Sequence, residues 1–266
     1  MPLTLNPARR TTARRTVIAL HCSGAGGRVF DSYRTLMSAD TELIAPDLLG
    51  SGAEARWPLG APVTVDTEAE RLAPLLARGR DGVHLIGHSY GGALALQLAM
   101  RWPQRVHSLT LYEPVRFRLL GTQSAAWHEI VDVGRRIGAL TLLHRFDAAA
   151  QRFIDYWSGP GSWAALPAAR RAAVADRMPK VRAEFEALFD DTVPPAAYAA
   201  LKMPIAVLAG DRSPQPARQV AEQLAQLGRH ARLVRLPGRG HMGALEDPAA
   251  VLAWLPRSRS ALAAAA

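Results

Sequence analysis

The amino-acid sequence has a single cysteine, few lysines and no long hydrophobic run. Because Cys22 has no second cysteine to pair with, a disulfide within the chain is excluded, and no residue set resembles a zinc site. The apolar runs are shorter than the roughly 20 residues that a membrane-spanning helix needs, so we expect no membrane association. The first residues lack the hydrophobic centre of a secretory signal, which predicts a cytoplasmic protein.

The formal net charge of +9 comes almost entirely from arginine, since Lys180 and Lys202 are the only lysines. A basic protein can bind nucleic acid, but binding normally requires the charges to form a patch or stripe. Here the arginines are scattered among many alanines, and the one local cluster is Arg9, Arg10, Arg14 and Arg15. We therefore expect a small-molecule partner rather than nucleic acid. The composition does not indicate an oligomeric state.

Short apolar runs alternate with helical patterns along most of the 266 residues. This alternation predicts an α/β fold with a mostly parallel sheet flanked by helices. The predicted strands are Thr16–His21, Leu43–Asp47, Val83–Gly87, Ser108–Glu113, Ile205–Gly210 and Arg232–Leu236.

One long stretch, from Glu113 to Ile205, breaks the alternation. It has helical patterning and several tryptophans but no clear strand. An all-helical insertion between two parallel strands is interpreted as a cap. The predicted organisation is therefore a core at residues 1–115 and 201–266 with a helical cap at 116–200.

Residues 87–92 read Gly-His-Ser-Tyr-Gly-Gly and stand between a predicted strand and a predicted helix. A sharp turn from strand to helix forces strained backbone at Ser89 and leaves no room for side chains at positions 87 and 91. Such a turn exposes the serine hydroxyl beside a helix N-terminus, which favours developing negative charge. A glycine-rich turn that contains serine by chance is the alternative. The surrounding pattern favours Ser89 as a nucleophile.

The other predicted strands also end in residues that carry chemistry. The first is followed by residues 21–27, His-Cys-Ser-Gly-Ala-Gly-Gly, and the fourth ends at Glu113. Asp211 follows the fifth strand, and His241 lies between glycines after the sixth. Because the carboxyl ends of parallel strands share one edge of the sheet, these residues are expected to meet there.

The order of serine, acid and histidine resembles that of the α/β-hydrolase superfamily, and the resemblance covers nearly the whole chain. Residues 21–27 look like the oxyanion loop of that family, and residues 236–243 look like its catalytic-histidine loop. The resemblance implies an α/β-hydrolase fold with a cap inserted after the strand that ends at Glu113. It also implies His241 as the base, the backbone N–H groups of Ser23 and Tyr90 as oxyanion donors, and no cofactor or metal.

The acid that orients His241 has two candidates. The usual family pattern after the fifth strand is Gly-x-x-Asp, but the chain has Ser213 in the aspartate position, and Asp211 comes two residues early. Some family members place the acid one strand earlier, where this chain has Glu113. We favour Glu113 and keep Asp211 as the alternative.

These residues predict a serine hydrolase that cleaves a carboxylic ester, or a similar acyl compound, through an acyl-enzyme on Ser89. Trp127, Phe153 and Trp157 are candidate pocket residues, although they could equally form the core of the cap. Alternatives on the same fold are a carbon–carbon bond hydrolase, a lactonase, a thioesterase and an acyltransferase. A small-molecule receptor, or pseudoenzyme, is the alternative of a different class.

Overall fold

The structure is a computed structural model, and it describes residues 15–256. Arg9, Arg10 and Arg14 of the basic cluster lie outside the described residues. Six strands form one sheet in which every neighbouring pair is parallel, in the order β2-β1-β3-β4-β5-β6. The strands are β1 Arg15–Leu20, β2 Thr41–Ile44, β3 Val83–His88, β4 Val106–Tyr112, β5 Ile205–Gly210 and β6 Ala231–Leu236.

Twelve α-helices connect or flank these strands within residues 15–256. Those of the core are α1 Asp31–Leu36, α2 Val65–Leu72, α3 Tyr90–Arg101, α10 Gln215–Leu227, α11 Gly243–Glu246 and α12 Pro248–Leu252. Those between β4 and β5 are α4 Ala125–Leu142, α5 Phe146–Ser158, α6 Ser162–Ala165, α7 Ala168–Ala175, α8 Met178–Phe189 and α9 Pro195–Ala199. Short 3-10 helices cover Gly27–Phe30, Ala73–Arg78, Pro103–Arg105 and Phe117–Leu120.

The central strands are apolar on both faces because helices cover the sheet on both sides. Leu85 and Ile86 are neighbours in β3 whose side chains point to opposite faces, so each lies in a different hydrophobic cluster. Leu85 packs with Leu94 of the almost wholly buried α3, whereas Ile86 packs with Val17 and Leu208. The sheet is thereby fixed as the middle layer of three.

The second strand differs from its prediction, because it ends at Ile44 instead of continuing to Asp47. Pro46 has no N–H group with which to continue the ladder, and the Asp47 side chain turns to loop amides. The chain therefore leaves the sheet after Ile44, and Asp47 lies against the loop that follows β1.

The segment between β4 and β5 contains helices and no strand among its described residues. Although this long insertion separates them in sequence, β4 and β5 are direct neighbours, with Leu109 opposite Ile205. The insertion therefore begins at the carboxyl end of β4 and ends at the amino end of the neighbouring, parallel β5. No helix within residues 15–256 combines the length and the apolar character that crossing a membrane requires.

Gly91 packs so closely against β1 that any side chain at this position should lower the free energy of unfolding. A Cβ there would lie 2.1 Å from the carbonyl oxygen of Leu20. Overpacking of this kind typically destabilises by 1–3 kcal/mol, so Gly91→Ala should lower the free energy of unfolding by about 3 kcal/mol or more. Urea titration measures the change.

Gly138→Ala is the matched control, because the nearest atom to its new Cβ would be Arg182 Cγ at 3.8 Å. In the middle of α4, alanine should stabilise the protein by roughly 0.5–1 kcal/mol. Equal effects of the two substitutions would contradict the packing argument.

Candidate active site

Ser89 occupies the sharp turn between β3 and α3, as the sequence predicts. Its φ of 55° and ψ of −118° place a non-glycine residue in strained backbone geometry. A Cβ at Gly87 would lie 2.6 Å from Gly92 Cα, so the glycine before Ser89 is needed for packing. The N–H of Ser89 donates to the carbonyl of Tyr112 at 3.0 Å, which ties the turn to the end of β4. Strain held by surrounding structure in this way is typical of functional sites.

His21 fixes the loop that follows β1 as a neutral side chain. Its Nδ1–H donates to the Cys22 carbonyl at 2.8 Å, while its Nε2 accepts the Leu48 N–H at 3.1 Å. Burial lowers the pKa of His21 to about 4. Burial likewise raises the pKa of the Cys22 thiol to about 12, which leaves that sulfur a poor nucleophile.

The first turn of α3, which begins at Tyr90, packs closely against the end of β1, directly before the loop that contains Ser23. Tyr90 is the first residue of α3, and the adjacent Gly91 approaches the Leu20 and His21 carbonyls so closely that a Cβ would not fit. Asp47 braces the loop, because its carboxylate accepts the N–H of Gly27 at 2.7 Å and that of Ala53 at 2.9 Å.

Glu113 lies directly against His241. Its Oε2 is 2.6 Å from His241 Nδ1, and both side chains are buried, with 0% and 3% of their surface exposed. The other carboxylate oxygen, Oε1, accepts the Gly210 N–H at 2.7 Å and the Ser213 hydroxyl at 2.5 Å. Glu113 has a φ of 44°, so it too is held in the left-handed region.

Asp211 is placed elsewhere. It is exposed, and its Oδ1 accepts the Gly238 N–H at 2.8 Å, in the turn that precedes the histidine loop. Ser213, which stands in the usual position of the acid, donates to Glu113 instead. Of the two carboxylates considered from the sequence, the structure brings Glu113 to His241.

His88 holds the histidine loop, a role that the sequence analysis did not identify. Its Nε2–H donates to the His241 carbonyl at 2.8 Å, and the two rings are 5.1 Å apart. Burial, with the neighbouring His241, lowers the pKa of His88 to about 3, so the ring stays neutral. Tyr112 secures the same loop, because its hydroxyl donates to the Gly240 carbonyl at 2.7 Å. A histidine adjacent to the turn was the only sequence signal for this contact.

A cleft of about 930 Å³ opens between the insertion and the carboxyl ends of the strands. Ser23, His241, Phe153 and Trp157 are among its lining residues. The Trp157 ring lies over the His241 ring, with centroids 4.1 Å apart.

Trp127, the third predicted pocket residue, is placed away from this cleft. It packs against Phe189, with ring centroids 5.7 Å apart, and beneath the Arg118 guanidinium. It therefore belongs to the packing of the insertion, as do most of the aromatic side chains there.

The cleft also carries charged groups, since Arg170, Arg177 and Asp47 line it. Arg177 Nη1 donates to the Gly24 carbonyl at 2.9 Å. Within residues 15–256, no cluster of histidine, cysteine, aspartate and glutamate side chains has the arrangement of a metal site. The chemistry available here is that of a hydroxyl, an imidazole, a carboxylate and backbone N–H groups.

Residues 17–254 match the model of the alpha/beta hydrolase family. Two curated relatives are similar over part of the chain. The chain is 38% identical over 121 residues to 2-hydroxy-6-oxo-2,4-heptadienoate hydrolase from Pseudomonas putida, an alignment that covers 43% of this chain and 44% of that protein. It is 32% identical over 143 residues to the lipase LipV from Mycobacterium tuberculosis, covering 53% and 51%. The chain thus spans about half the length of these relatives.

A solved structure is similar over nearly the whole chain. The alpha/beta hydrolase MGS-M2, from a Medee basin deep-sea metagenome library, superposes with a TM-score of 0.76. The match covers 97% of this chain and 93% of that one at 18% sequence identity. At this identity the similarity establishes a shared fold.

The buried, neutral His88 predicts that stability falls in acid. Its pKa is about 3 in the folded protein and 6.5 ordinarily, so below pH 6.5 the unfolded chain takes up the proton first. The contribution of neutral His88 to the free energy of unfolding is therefore fully present above pH 6.5 and is lost progressively as the pH falls toward 3. At pH 5 the expected loss is roughly 2 kcal/mol relative to pH 8.

Urea unfolding of the wild type and of His88→Gln at pH 8 and pH 5 measures this contribution. The variant should lose less stability than the wild type on acidification, because it lacks one of the buried histidines whose pKa is lowered. His230→Gln replaces an exposed histidine and serves as the control. The same pH dependence in His88→Gln and the wild type would show that His88 does not contribute.

Proposed function

The chain belongs to the alpha/beta hydrolase family, and on that premise we propose that it is a serine hydrolase acting on a carboxylic ester or a similarly activated acyl compound. The observation that carries the proposal is the contact between His241 Nδ1 and Glu113 Oε2 at 2.6 Å, beside the strained turn at Ser89. The three residues follow three different strands, β3, β4 and β6.

Ser89 attacks the carbonyl carbon in the proposed reaction. A serine hydroxyl is a poor nucleophile at its ordinary pKa and requires an adjacent base. Because His241 gives its Nδ1–H to Glu113, its Nε2 is the nitrogen left to accept the serine proton. The buried Glu113 carboxylate then stabilises the imidazolium that forms.

The negative charge that develops on the carbonyl oxygen is held by the backbone N–H groups of Ser23 and Tyr90. Tyr90 begins α3, so the partial positive charge of the helix N-terminus acts at the same point. Backbone donors of this kind are preorganised before the reaction and typically contribute 10²–10³-fold each to turnover.

The acyl-enzyme is resolved by the same groups. His241 protonates the leaving group as it departs from the tetrahedral intermediate, which leaves the acyl group on the Ser89 oxygen. A water molecule then gives its proton to His241 and attacks the acyl carbon. Ser89 recovers its proton, and the carboxylic acid product leaves. The complete proposed reaction consumes one water molecule and uses no cofactor.

The insertion at residues 116–200 acts as a cap over this chemistry in our proposal. Phe153 and Trp157, both on α5, supply an apolar wall for the acyl or alcohol group of the substrate. Because Trp157 lies against His241, bound substrate meets the cap and the base together.

A second candidate activity has support of its own. One relative is named 2-hydroxy-6-oxo-2,4-heptadienoate hydrolase, and a compound of this type carries a carboxylate. Arg170 and Arg177 in the cleft provide positive charge that suits such a group. A hydrolase of this substrate type would use the same Ser89 and His241, so only a substrate comparison distinguishes the two activities.

Ser89→Ala should lower turnover by roughly 10⁵-fold or more while leaving the fold intact, because the proposed nucleophile is lost. The measurement is hydrolysis of a chain-length series of p-nitrophenyl esters beside lactone, thioester and 2-hydroxy-6-oxo-dienoate substrates. A fluorophosphonate probe should label the wild type stoichiometrically and leave the variant unlabelled. Retained esterase activity in Ser89→Ala contradicts the mechanism, and an unlabelled, inactive wild type favours a receptor.

Glu113→Gln should lower kcat by roughly 10³–10⁴-fold, since an amide cannot stabilise the imidazolium and favours the wrong tautomer. Asp211→Asn is the matched control and should change kcat less than about 5-fold, because Asp211 supports only a turn. The loss of kcat in Ser213→Ala should be intermediate between those two, because Glu113 loses one of its hydrogen-bond donors. A larger loss in Asp211→Asn than in Glu113→Gln would assign the acid to Asp211.

A further inference from the structure

A buried charged cluster lies beside the proposed oxyanion donors and has no part in the chemistry described so far. Lys180 Nζ is 2.9 Å from Glu68 Oε2 and 2.7 Å from Glu184 Oε1. The three side chains are at most 2% exposed. We call Lys180, Glu68 and Glu184 the Lys180 network. Burying charges is costly, and a buried ion pair is weak evidence of a contribution to stability, so the network calls for another explanation.

Each glutamate of the network lies next to a residue that carries a proposed oxyanion donor. The Tyr90 hydroxyl donates to Glu68 Oε2 at 2.8 Å. Burial raises the pKa of the Glu184 carboxyl, and the nearby Ser23 hydroxyl opposes that rise. Lys180 joins the two glutamates, so Ser23 and Tyr90 are connected through one continuous set of polar contacts.

The network also joins the core to the insertion. Glu68 lies on α2 of the core and accepts the Leu49 N–H at 2.8 Å, whereas Lys180 and Glu184 lie on α8 of the insertion. Burial lowers the pKa of Lys180, but the charges of Glu184 and Glu68 outweigh burial and hold it above its ordinary value. Lys180 therefore stays charged and keeps both contacts.

We propose that the Lys180 network is a positioning device that holds Ser23 and Tyr90 so that both backbone N–H groups point at one oxyanion, and that ties this geometry to the insertion. The inference rests on the proposed function, because an oxyanion arises only if Ser89 attacks a carbonyl. Lys180, Glu68 and Glu184 act through Ser23 and Tyr90 and do not touch the reacting atoms.

Displaced donors weaken binding of the transition state and leave binding of the substrate intact. Glu184→Gln, which keeps the shape of the side chain, and Tyr90→Phe, which removes one hydroxyl, should each lower kcat by about 10-fold with KM changed less than about 2-fold. Lys180→Met should lower kcat further. Lys202→Met, at the only other lysine in the chain, is exposed and should match the wild type.

A second readout separates positioning from a purely structural role. A trifluoromethyl ketone matched to the best ester forms an adduct with Ser89 that carries the oxyanion. Its inhibition constant should therefore rise in each variant by the same factor by which kcat/KM falls. Thermal unfolding verifies that each variant is folded at the assay temperature. If Lys180→Met does not fold, Glu184→Gln and Tyr90→Phe still decide the question.

The two proposals fail in distinguishable ways. If the wild type hydrolyses esters and reacts with fluorophosphonate, while folded Glu184→Gln and Tyr90→Phe keep the wild-type kcat, the positioning role is wrong and the hydrolase proposal stands. A rise in KM alone, with an unchanged inhibition constant, likewise overturns positioning. A wild type that does not react with fluorophosphonate overturns the hydrolase proposal and this inference with it.

Discussion

The hydrogen bond between Glu113 and His241 is the interaction on which the arrangement of the site depends. A carboxylate with no exposed surface is stable only if its oxygens are bonded, and here Gly210, Ser213 and His241 supply the donors. These partners come from β5, the loop after β5 and the loop after β6. Glu113 thus draws three segments toward the end of β4, and removing it would leave polar groups without partners inside the protein.

The rest of the site follows from close backbone packing around that point. Glycines allow α3 to approach β1 and β3 closely enough for Ser89 and Tyr90 to lie beside the loop of Ser23. Neutral histidines then hold the loops in place, His21 after β1 and His88 beneath His241. The geometry is therefore set by backbone contacts and by hydrogen bonds from buried side chains, and the Asp47 carboxylate, Glu113 and the Lys180 network supply the charged contacts.

The sequence was sufficient to predict the fold, because apolar periodicity and strand-end motifs are local properties. The alpha/beta hydrolase family and the parallel sheet are confirmed. What could not be predicted depends on long-range contacts. Nothing local indicates that Ser213 donates to Glu113, that His88 binds the His241 carbonyl, or that Trp157 lies on the His241 ring. Trp127 and Trp157 are likewise equivalent in sequence, and only the packing of α4 and α5 separates them.

The position of Glu113 has a consequence for how related proteins are found. With the carboxylate at the end of β4, the loop after β5 contributes a hydroxyl donor, Ser213, to Glu113 and does not itself supply the carboxylate that contacts His241. A motif search that demands aspartate after the fifth strand would discard this chain and any other with the same exchange. A search defined on which atoms surround the histidine ring, rather than on residue spacing, would retain them and would show how often a carboxylate from the preceding strand contacts that ring.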